Sequence, residues 1–214
     1  MNLLTLSNIS KSYGSKCVFS SFNQQFVSNQ IHSVIGPSGC GKSTLIRIMS
    51  GLDGSFEGEV AWNGKSIYSD GGTSFRKEIL GLQMQSAPLF SSLSAKDNIA
   101  LPLLLLGKSL PESQNKAIKA MEYLNISHLA DVGVLQLSGG EKQRVAIATA
   151  MIRTPKILIL DEPTANLDSE TEMFIINQLL QYKSATKACI IIATHSRTVA
   201  KYSDTVLDLR RVRC

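Results

Sequence analysis

The stretch "SVIGPSGCGKSTLIRIM", residues 33–49, limits the folds open to this chain more than any other segment. An apolar run enters a glycine-rich turn, and a helix-like segment follows directly after it. Gly36, Gly41, Lys42 and Ser43 fill the pattern G-x-x-x-x-G-K-[ST] of a phosphate-binding loop. The glycines let successive backbone N–H groups converge on one anion, and the helix start adds its positive dipole end. The pattern therefore predicts a nucleotide phosphate site on a strand–loop–helix unit.

Two side chains of this loop are expected to act directly on the nucleotide. Lys42 reaches the β- and γ-phosphates as a point charge, and the Ser43 hydroxyl is a ligand for Mg²⁺. The predicted contact surface is the whole loop: Gly36, Pro37, Ser38, Gly39, Cys40, Gly41, Lys42, Ser43 and Thr44. Cys40 fills a variable position, so it is either a small bystander or a thiol made reactive by the loop and the helix start.

A second candidate region is "ILILDEP", residues 157–163, where two carboxylates follow an apolar strand. Carboxylates at the C-terminal edge of a parallel strand face the same crevice as a phosphate loop. Asp161 is suited to hold Mg²⁺ through water, and Glu162 is suited to polarise a water for attack on the γ-phosphate. The alternative is a pair of solvated acids at a turn.

The order of predicted elements indicates an α/β fold. Buried strands are predicted at 31–35, 156–160 and 188–195, and helices at 94–131, 138–153 and 169–183. Short strands are predicted before and after the loop at 3–9, 18–27 and 57–62, with a turn at Asn63-Gly64. Breaks are expected at Pro102, Gly107 and Pro111, and Ser138 is expected to cap its helix. Strands alternating with helices favour a mostly parallel sheet with helices on both faces.

Composition narrows the setting but does not name a reaction. The formal charge of +5 favours an anionic partner only mildly, because a solvated basic surface explains it as well. The four cysteines (Cys17, Cys40, Cys189 and Cys214) have no metal-ligand spacing, which is typical of a reduced, cytosolic chain. The apolar run at 99–107 is too short to span a membrane, so another chain is expected to supply any spanning segment. His32 and His128 are interpreted as structural or surface residues.

Residues 135–168, "LQLSGGEKQRVAIATAMIRTPKILILDEPTANLD", resemble the ATP-binding-cassette (ABC) ATPases, and the resemblance extends over nearly the whole chain. The segment "LSGGE" resembles the signature of that family, which completes the ATP site of the opposite subunit. The resemblance implies that Ser138, Gly139 and Gly140 contact ATP bound to a second copy. Since these residues begin a helix, they offer a second anion cradle. A head-to-tail dimer around two ATP molecules is therefore expected.

Further positions take their expected roles from the same resemblance. Tyr13 resembles the aromatic residue that stacks on adenine. Gln85 resembles the glutamine that senses Mg²⁺ and the γ-phosphate and links them to a transmembrane partner; Gln83 is a nearby rival, but the downstream sequence favours Gln85. Asp168 resembles the loop residue that crosses to the second subunit, and His195 resembles the histidine that contacts the γ-phosphate.

The resemblance also implies an organisation and a setting. Residues 1–85 and 155–214 would form a P-loop (RecA-like) core with an N-terminal antiparallel β subdomain, and 86–154 an inserted helical signature subdomain. ATP and Mg²⁺ are the expected cofactors. Transmembrane permease subunits and a second copy are the expected partners, with no nucleic acid. The expected location is cytoplasmic, on the face of the bacterial inner membrane, through the membrane partner.

The sequence leaves several hypotheses open for the class of transporter. The compact length and the segment "SSLSAKDNIALPLLLLG" resemble the cassettes of lipoprotein-release and macrolide-export systems. An amino-acid or inorganic-ion importer subunit, or a non-transport ABC ATPase, is the alternative. A soluble kinase or GTPase is disfavoured by "LSGGE" and by the lack of an NKxD element. A cassette that binds ATP without turnover is disfavoured by Glu162 and His195.

Overall fold

The computed structural model of the protein describes residues 2–85, 89–165 and 167–212. These residues form nine strands: β1 (Leu3–Tyr13), β2 (Lys16–Val27), β3 (Gln30–Ile35), β4 (Glu57–Trp62), β5 (Lys65–Ser66), β6 (Leu80–Gln83), β7 (Ile157–Asp161), β8 (Cys189–Thr194) and β9 (Thr205–Asp208). They also form seven α-helices: α1 (Lys42–Met49), α2 (Thr73–Glu78), α3 (Ala95–Leu104), α4 (Leu110–Tyr123), α5 (Gly139–Met151), α6 (Ser169–Thr186) and α7 (Arg197–Lys201). Short 3-10 helices lie at Ser127–Leu129, Val134–Gln136 and Leu209–Arg211.

The larger sheet has five parallel strands in the order β6-β7-β8-β3-β9. Every residue of β7 and β8 is buried, which is why both are near-continuous apolar runs. Alternate residues of β7 face opposite sides: Leu158 and Leu160 join a core with α3 to α7, and Ile157 and Ile159 join a core with α1 and the second sheet. The predicted parallel sheet with helices on both faces is confirmed.

The second sheet is antiparallel, with the order β2-β1-β4-β5. The first strand is longer than predicted, because register shifts on either side of Ile9 absorb an irregularity and pairing with β2 continues to Tyr13. Asn63 and Gly64 both have positive φ (51° and 77°) in the turn between β4 and β5, so the predicted turn is confirmed.

The register of the parallel sheet brings three strand ends to one edge. β3 pairs with β8 up to Ile35 opposite Thr194, and β7 pairs with β8 up to Asp161 opposite Ala193. The loops that follow these strands therefore open from the same edge of the sheet, as is usual for ligand sites in open α/β sheets.

Helices α3, α4 and α5 pack on one another in the chain segment between β6 and β7. The break predicted at Pro102 is wrong, since α3 continues through it. The proline removes one helical hydrogen bond near the C-terminal end, and burial of Ile99 and Leu103 offsets the cost. Gly107 (φ 80°) lies in the turn after α3, and Pro111 lies in the first turn of α4, where a missing N–H costs little.

The division of the chain at 85/86 and at 154/155 remains a prediction, and residues 86–88 lie outside the described ranges. No helix in the described part of the chain combines the length and apolar character needed to cross a bilayer.

Candidate active site

A cleft of about 460 Å³ lies where the loops after β3, β7 and β8 meet. The predicted residues that line it are Tyr13, Pro37, Ser38, Gly39, Gly41, Lys42, Ser43, Thr44, Gln85, Asp161, Glu162 and His195. Sequence reasoning missed Lys16 and Val18 of β2, which line the same cleft. Lys16 pairs with Tyr13 across a tight turn, so both residues lie at the same end of their strands. A prediction of this turn next to Tyr13 could have identified Lys16.

The glycine loop is shaped by a close approach to β2. Gly41 has φ 106°, a conformation that favours glycine, and a Cβ at this position would lie 2.9 Å from Val18 and 3.1 Å from Phe19. Gly41 is also the N-cap of α1 and provides no side-chain cap. The first N–H groups of α1 consequently have no side-chain acceptor at the cap, which leaves them suited to an anion.

Gly36 and Cys40, two loop residues predicted to contact the nucleotide, do not line the cleft. Cys40 is only 4% exposed and belongs to the core beneath the loop. A Cβ at Gly36 would lie 2.5 Å from the Cys40 sulfur, so the cysteine packs directly against the first glycine of the loop. Any contact of Cys40 with a nucleotide would thus be made by its backbone.

The Lys42 amine sits between the loop backbone and an acid. Its Nζ donates to the Gly36 carbonyl at 2.7 Å and lies 3.7 Å from Glu162 Oε1. The lysine is mostly buried within the chain, with its side chain 11% exposed. A mostly buried ammonium at the mouth of a phosphate loop can offset phosphate charge strongly, because water screens it little.

Asp161 ends β7 as a buried carboxylate, 2% exposed. The Ser43 hydroxyl donates to its Oδ2 at 3.4 Å. Burial, followed by the negative charge of Glu162, raises the pKa of Asp161, and the contacts with Ser43 and Lys42 only partly oppose this. A carboxylate and a hydroxyl facing each other beside Gln85 are hard oxygen donors of the kind that Mg²⁺ prefers, and the buried negative charge favours a cation there. The residues therefore fit a magnesium ion.

Glu162 is held by contacts with Ala193, His195 and Lys42. Its backbone has φ 52°, a left-handed conformation rare for a non-glycine residue, and its N–H donates to the Ala193 carbonyl at 2.8 Å. The Glu162 Oε2 lies 2.9 Å from His195 Nδ1 and accepts the His195 backbone N–H at 3.2 Å. The carboxylate, 7% exposed, thus spans from Lys42 to His195 at the base of the cleft.

The two candidate glutamines at the end of β6 lie in different environments. Gln85 lines the cleft, whereas Gln83 does not and is 1% exposed. The Gln83 amide nitrogen instead donates to the carbonyls of Met84 at 2.9 Å and Asp161 at 3.3 Å.

Tyr13 lies at the rim of the cleft with about half of its surface exposed (51%). Its hydroxyl donates to Asp53 at 3.4 Å, and the Lys11 ammonium lies 4.8 Å from its ring centroid. Lys11 is itself buried and paired with Asp53 at 2.9 Å. The ring is therefore fixed from below and open above, as a stacking platform requires.

The signature residues and Asp168 are not part of this cleft. Ser138 caps α5 in a capping box: its hydroxyl accepts the Glu141 N–H at 3.3 Å, while its own N–H donates to the Glu141 carboxylate at 2.7 Å. No atom of the described residues lies within 4 Å of a Cβ built at Gly139, whereas one at Gly140 would lie 3.0 Å from Leu167. Asp168 is the N-cap of α6 and accepts the Thr171 N–H at 2.9 Å.

The remaining histidines lie away from the cleft. His32 is buried, with its ring nitrogens 2.7 Å from Thr205 Oγ1 and 2.9 Å from the Val27 carbonyl. Burial lowers the pKa of His32, although the Val27 carbonyl and the negative charge of Asp204 oppose this. It joins β3 to β9 and to the end of β2, which is a structural role. His128 is exposed in a 3-10 helix.

A strand–loop–helix phosphate loop facing a buried acidic strand end defines a P-loop nucleoside-triphosphatase. A sequence model described as "ABC transporter" matches residues 19–165, more than half of the chain. The chain belongs to the ABC transporter family and is one of its ATP-binding, ATP-hydrolysing subunits.

Relatives and solved structures agree with this assignment. The tungstate uptake system ATP-binding protein TupC of Peptoclostridium acidaminophilum is 40% identical over 92% of this chain and 89% of its own length. The lipoprotein-releasing system ATP-binding protein LolD of Ehrlichia ruminantium (strain Gardel) is 34% identical over 97% of this chain and 94% of its own. The dimeric structure of MJ0796, described as a bacterial ABC transporter cassette, is 30% identical, with a TM-score of 0.89 over 96% of this chain and 94% of that one. A second MJ0796 dimer, in a post-hydrolysis state bound to ADP and Pi, gives a TM-score of 0.88 over 96% and 93%.

Proposed function

We propose that the residues of the cleft bind Mg-ATP and hydrolyse it, and that this drives transport through a separate membrane partner. The observation that carries the assignment is the Glu162 carboxylate, which spans from Lys42 at 3.7 Å to His195 at 2.9 Å beside the buried Asp161. An acid held at the base of a phosphate cleft, next to a cation and a histidine, is suited to orient an attacking water.

The proposed chemistry divides among the lining residues. Lys42 and the N–H groups at the start of α1 hold the phosphates, and Tyr13 stacks on the adenine. Ser43, Asp161 and Gln85 would hold Mg²⁺, which when bound offsets charge on the phosphate oxygens. Glu162 positions the water and accepts a proton from it, while the water oxygen bonds to the γ-phosphorus and the bond to the bridging oxygen breaks; that oxygen leaves with ADP, and the proton passes on to the released phosphate. His195 orients the Glu162 carboxylate and lies near the γ-phosphate.

Glu162→Gln tests the role of the acid. The amide keeps the size of the side chain but cannot take a proton, so turnover should fall by about 10²–10⁴-fold. ATP binding should persist, and the variant should accumulate as an ATP-bound dimer in size-exclusion chromatography. Glu78→Gln, an exposed acid at the end of α2, is the matched control. Normal turnover by Glu162→Gln would remove Glu162 from the mechanism.

Lys42→Ala tests the phosphate loop by equilibrium binding of a fluorescent ATP analogue. Loss of the ammonium should weaken ATP binding at least about tenfold, since charge-assisted contacts are among the strongest made to a phosphate. Lys201→Ala, an exposed lysine on α7, is the control. Unchanged nucleotide affinity in Lys42→Ala would contradict the loop assignment.

We propose that Ser138, Gly139, Gly140 and Asp168 act on the ATP of a second copy. The supporting observation is Gly139: its φ is not positive, it is exposed, and nothing within the described residues would oppose a Cβ there. A glycine that the single chain does not need is explained if another molecule approaches its backbone closely. In that dimer the Ser138 hydroxyl would donate to phosphate instead of to Glu141.

Mixing two inactive variants tests whether the site is shared. Lys42→Ala and Ser138→Arg each inactivate both sites of a homodimer. A mixed head-to-tail dimer contains one site built from the intact loop of one copy and the intact signature of the other. Mixing should therefore restore a measurable part of the ATPase rate, whereas mixing Lys42→Ala with Glu162→Gln should not. No recovery in either mixture, with dimers demonstrated by cross-linking, would argue that each chain uses its own signature.

We propose that the groove beside α3 docks a short amphipathic helix of the transmembrane partner, which would hold the chain at the cytoplasmic face of the membrane. The groove has a volume of about 500 Å³, and Phe90 and Leu105 expose 59% and 77% of their surface in it. Lys77 at its edge favours an acidic residue on the docked helix. Leu105→Glu should abolish co-purification with the membrane partner, while Leu110→Glu, an exposed leucine at the start of α4, should not.

For the cargo, uptake of an inorganic oxyanion is the first candidate, because the tungstate-uptake relative has the higher identity of the two named relatives (40% against 34%). A lipoprotein-release system is the second, supported by a relative that matches 97% of this chain. Identification of the protein that co-purifies from detergent-solubilised membranes separates the two. A deletion strain that lost tungstate accumulation would support the first candidate, and one that retained lipoproteins in the inner membrane would support the second.

A further inference from the structure

Two glutamine side chains reach the backbone carbonyls of the two acids at the C-terminal end of strand β7. The Gln83 amide nitrogen donates to the Asp161 carbonyl at 3.3 Å, and the Gln143 amide nitrogen donates to the Glu162 carbonyl at 3.3 Å. Gln83 comes from the edge strand β6 and Gln143 from helix α5. Both line one small cavity of about 280 Å³, separate from the nucleotide cleft but sharing Gln85 with it.

Gln83 is an unusual residue for its position, since it is 1% exposed and pairs with β7, a strand in which every residue is buried. A buried amide is costly unless hydrogen-bonded. The two acceptors at Met84 and Asp161 are carbonyl oxygens, so only the amide nitrogen can face them. The β6–β7 ladder ends where Gln83 pairs with Leu160, and the side chain adds one more bond beyond that pair. Gln83 therefore ties the base of the Gln85 segment to the peptide of Asp161.

Gln143 holds a residue whose backbone needs support. Glu162 has φ 52°, and a left-handed conformation at a non-glycine residue is unfavourable unless its surroundings fix it. The N–H of Glu162 is fixed by the Ala193 carbonyl of β8 at 2.8 Å, and its C=O accepts the Ala165 N–H at 3.2 Å and the Gln143 amide at 3.3 Å. Gln143 therefore adds a side-chain contact from α5 to the backbone bonds that hold Glu162.

The position of Gln143 on α5 gives this bond a second consequence. It lies one helical turn after Gly139, in the helix that begins with the signature residues. A helix moves as a stiff body over such a distance, so a displacement of the helix start also displaces the Gln143 amide. The start of α5 and the backbone of Glu162 are therefore mechanically joined within one chain.

We propose that Gln83 and Gln143 are positioning residues for ATP hydrolysis: they hold the backbone of Asp161 and Glu162, and Gln143 links the signature helix of a chain to the Glu162 of that same chain. This inference rests on the proposed roles of Asp161 and Glu162. It adds that engagement of α5 by a second copy changes the alignment of the acid in the chain that supplies the helix.

Methionine substitutions test the proposal, because they keep the length and approximate volume of glutamine but remove the donor. For Gln83→Met and Gln143→Met we expect kcat to fall by about 10–100-fold, the range seen when supporting hydrogen bonds in an active site are removed. The KM for ATP should stay within about twofold, since neither side chain lines the nucleotide cleft. Gln83→Met should also raise the Mg²⁺ concentration needed for half-maximal rate, whereas Gln143→Met should not.

Three controls separate positioning from folding. The rate is expressed per chain competent to bind ATP, so partial unfolding does not lower it. Gln178→Met changes an amide whose oxygen is buried and has no hydrogen-bond partner among the described residues; it lies on α6, away from the acids, and should leave kcat unchanged. Gln143→Lys restores an N–H donor and should recover part of the rate lost in Gln143→Met.

The outcomes distinguish this inference from the proposed function. If Glu162→Gln is inactive while both methionine variants keep kcat within twofold of the parent, the positioning role is wrong and the catalytic assignment stands. If Glu162→Gln turns over normally, the catalytic assignment fails whatever the glutamine variants do. Equal losses of kcat in Gln178→Met and Gln143→Met, or no recovery in Gln143→Lys, would also overturn the positioning role.

Discussion

Helix α1 follows directly after a glycine and helix α5 begins with one, but the first start faces into a cleft and the second faces outward. The N-cap of α1 is Gly41, which supplies no side-chain acceptor, and the chain provides Lys42 and the acids of β7 around it. The N-cap of α5 is Ser138, which closes a capping box with Glu141 and is exposed. The start of α1 therefore has charged groups of its own chain around it. At the start of α5 the side chains are hydrogen-bonded to each other, and the surface is exposed.

The glycines at these two starts differ in the same way. Gly41 is required by the fold, because its φ is 106° and β2 leaves no room for a Cβ. Gly139 has no such requirement within the described residues. Gly41 thus contributes to folding and to the local site, whereas Gly139, exposed at the outward-facing start of α5, is the glycine that we propose contacts a second copy. The comparison predicts that a substitution at Gly41 impairs ATP binding by the single chain, whereas a substitution at Gly139 impairs only the later ATPase reaction.

Among the variants that compare the two helix starts, the largest effect is expected for Gly139→Asp. A carboxylate at this position would repel the phosphates of ATP held by a second copy, so the ATPase rate should fall at least about 100-fold, which corresponds to roughly 3 kcal/mol. Melting temperature and ATP binding by the single chain should not change. Gly133→Asp, at another open and unstrained glycine, is the matched control. Weaker ATP binding by isolated Gly139→Asp chains would contradict the difference between the two helix starts.

Gly41→Ala should impair the earlier step, which is ATP binding. Its Cβ would meet Val18 and Phe19 in an unfavourable backbone conformation, so the loop must shift. We expect ATP affinity to fall about tenfold or more, measured by titration calorimetry, with a lower melting temperature. Gly107→Ala has a similar positive φ (80°) but an open environment, and it should lose stability without losing ATP affinity.

Asp161→Asn tests the electrostatics of the cleft. Because burial and Glu162 raise the pKa of Asp161, this group favours the folded state at acidic pH and loses that contribution as pH rises through its folded pKa. The neutral amide should therefore raise the melting temperature of the nucleotide-free chain at pH 8, by roughly 2 °C or more, and have less effect at pH 4. Magnesium-dependent turnover should be lost. A lower melting temperature at pH 8 would mean that the carboxylate stabilises the free chain.

Ser138→Ala should affect stability modestly. Loss of an N-cap costs about 1 kcal/mol. The hydrogen bonds from Ser138 lower the pKa of Glu141, so their contribution is present above the ordinary carboxyl pKa and is lost as pH falls through the lowered one. The difference in melting temperature between Ser138→Ala and the parent should be largest near neutral pH and shrink under strongly acidic conditions. A difference independent of pH would leave Glu141 out of the cap.

The smallest effect concerns Cys40. With 4% exposure beneath the loop, its thiol should react with maleimide slowly, with and without ATP, and much more slowly than in the urea-unfolded chain. Mass spectrometry of the labelled peptide gives the rate. Rapid labelling that ATP prevents would instead support a reactive thiol in the phosphate loop.

Much of the fold could be predicted because the patterns are local. Strands β7 and β8 are continuous apolar runs, and the capping box of α5 lies within four consecutive residues. Strands β6 and β9 were missed, because Leu80–Gln83 and Thr205–Asp208 are short and gain their strand conformation from neighbours far along the chain. The prediction at Pro102 was wrong because packing outweighed a local helix breaker.

The phosphate loop and the acidic strand end could be identified from short segments of the sequence. The conformation of residues 36–44 depends on where glycines stand in a few consecutive positions, and the carboxylates stand at the end of an apolar strand. Which side chains meet depends on the tertiary structure. The pairing of β7 with β8 brings Glu162 to His195, and the end of β6 turns Gln85 into the cleft while Gln83 stays beneath it. These contacts join residues tens of positions apart, and sheet order and register, which local patterns do not encode, determine them.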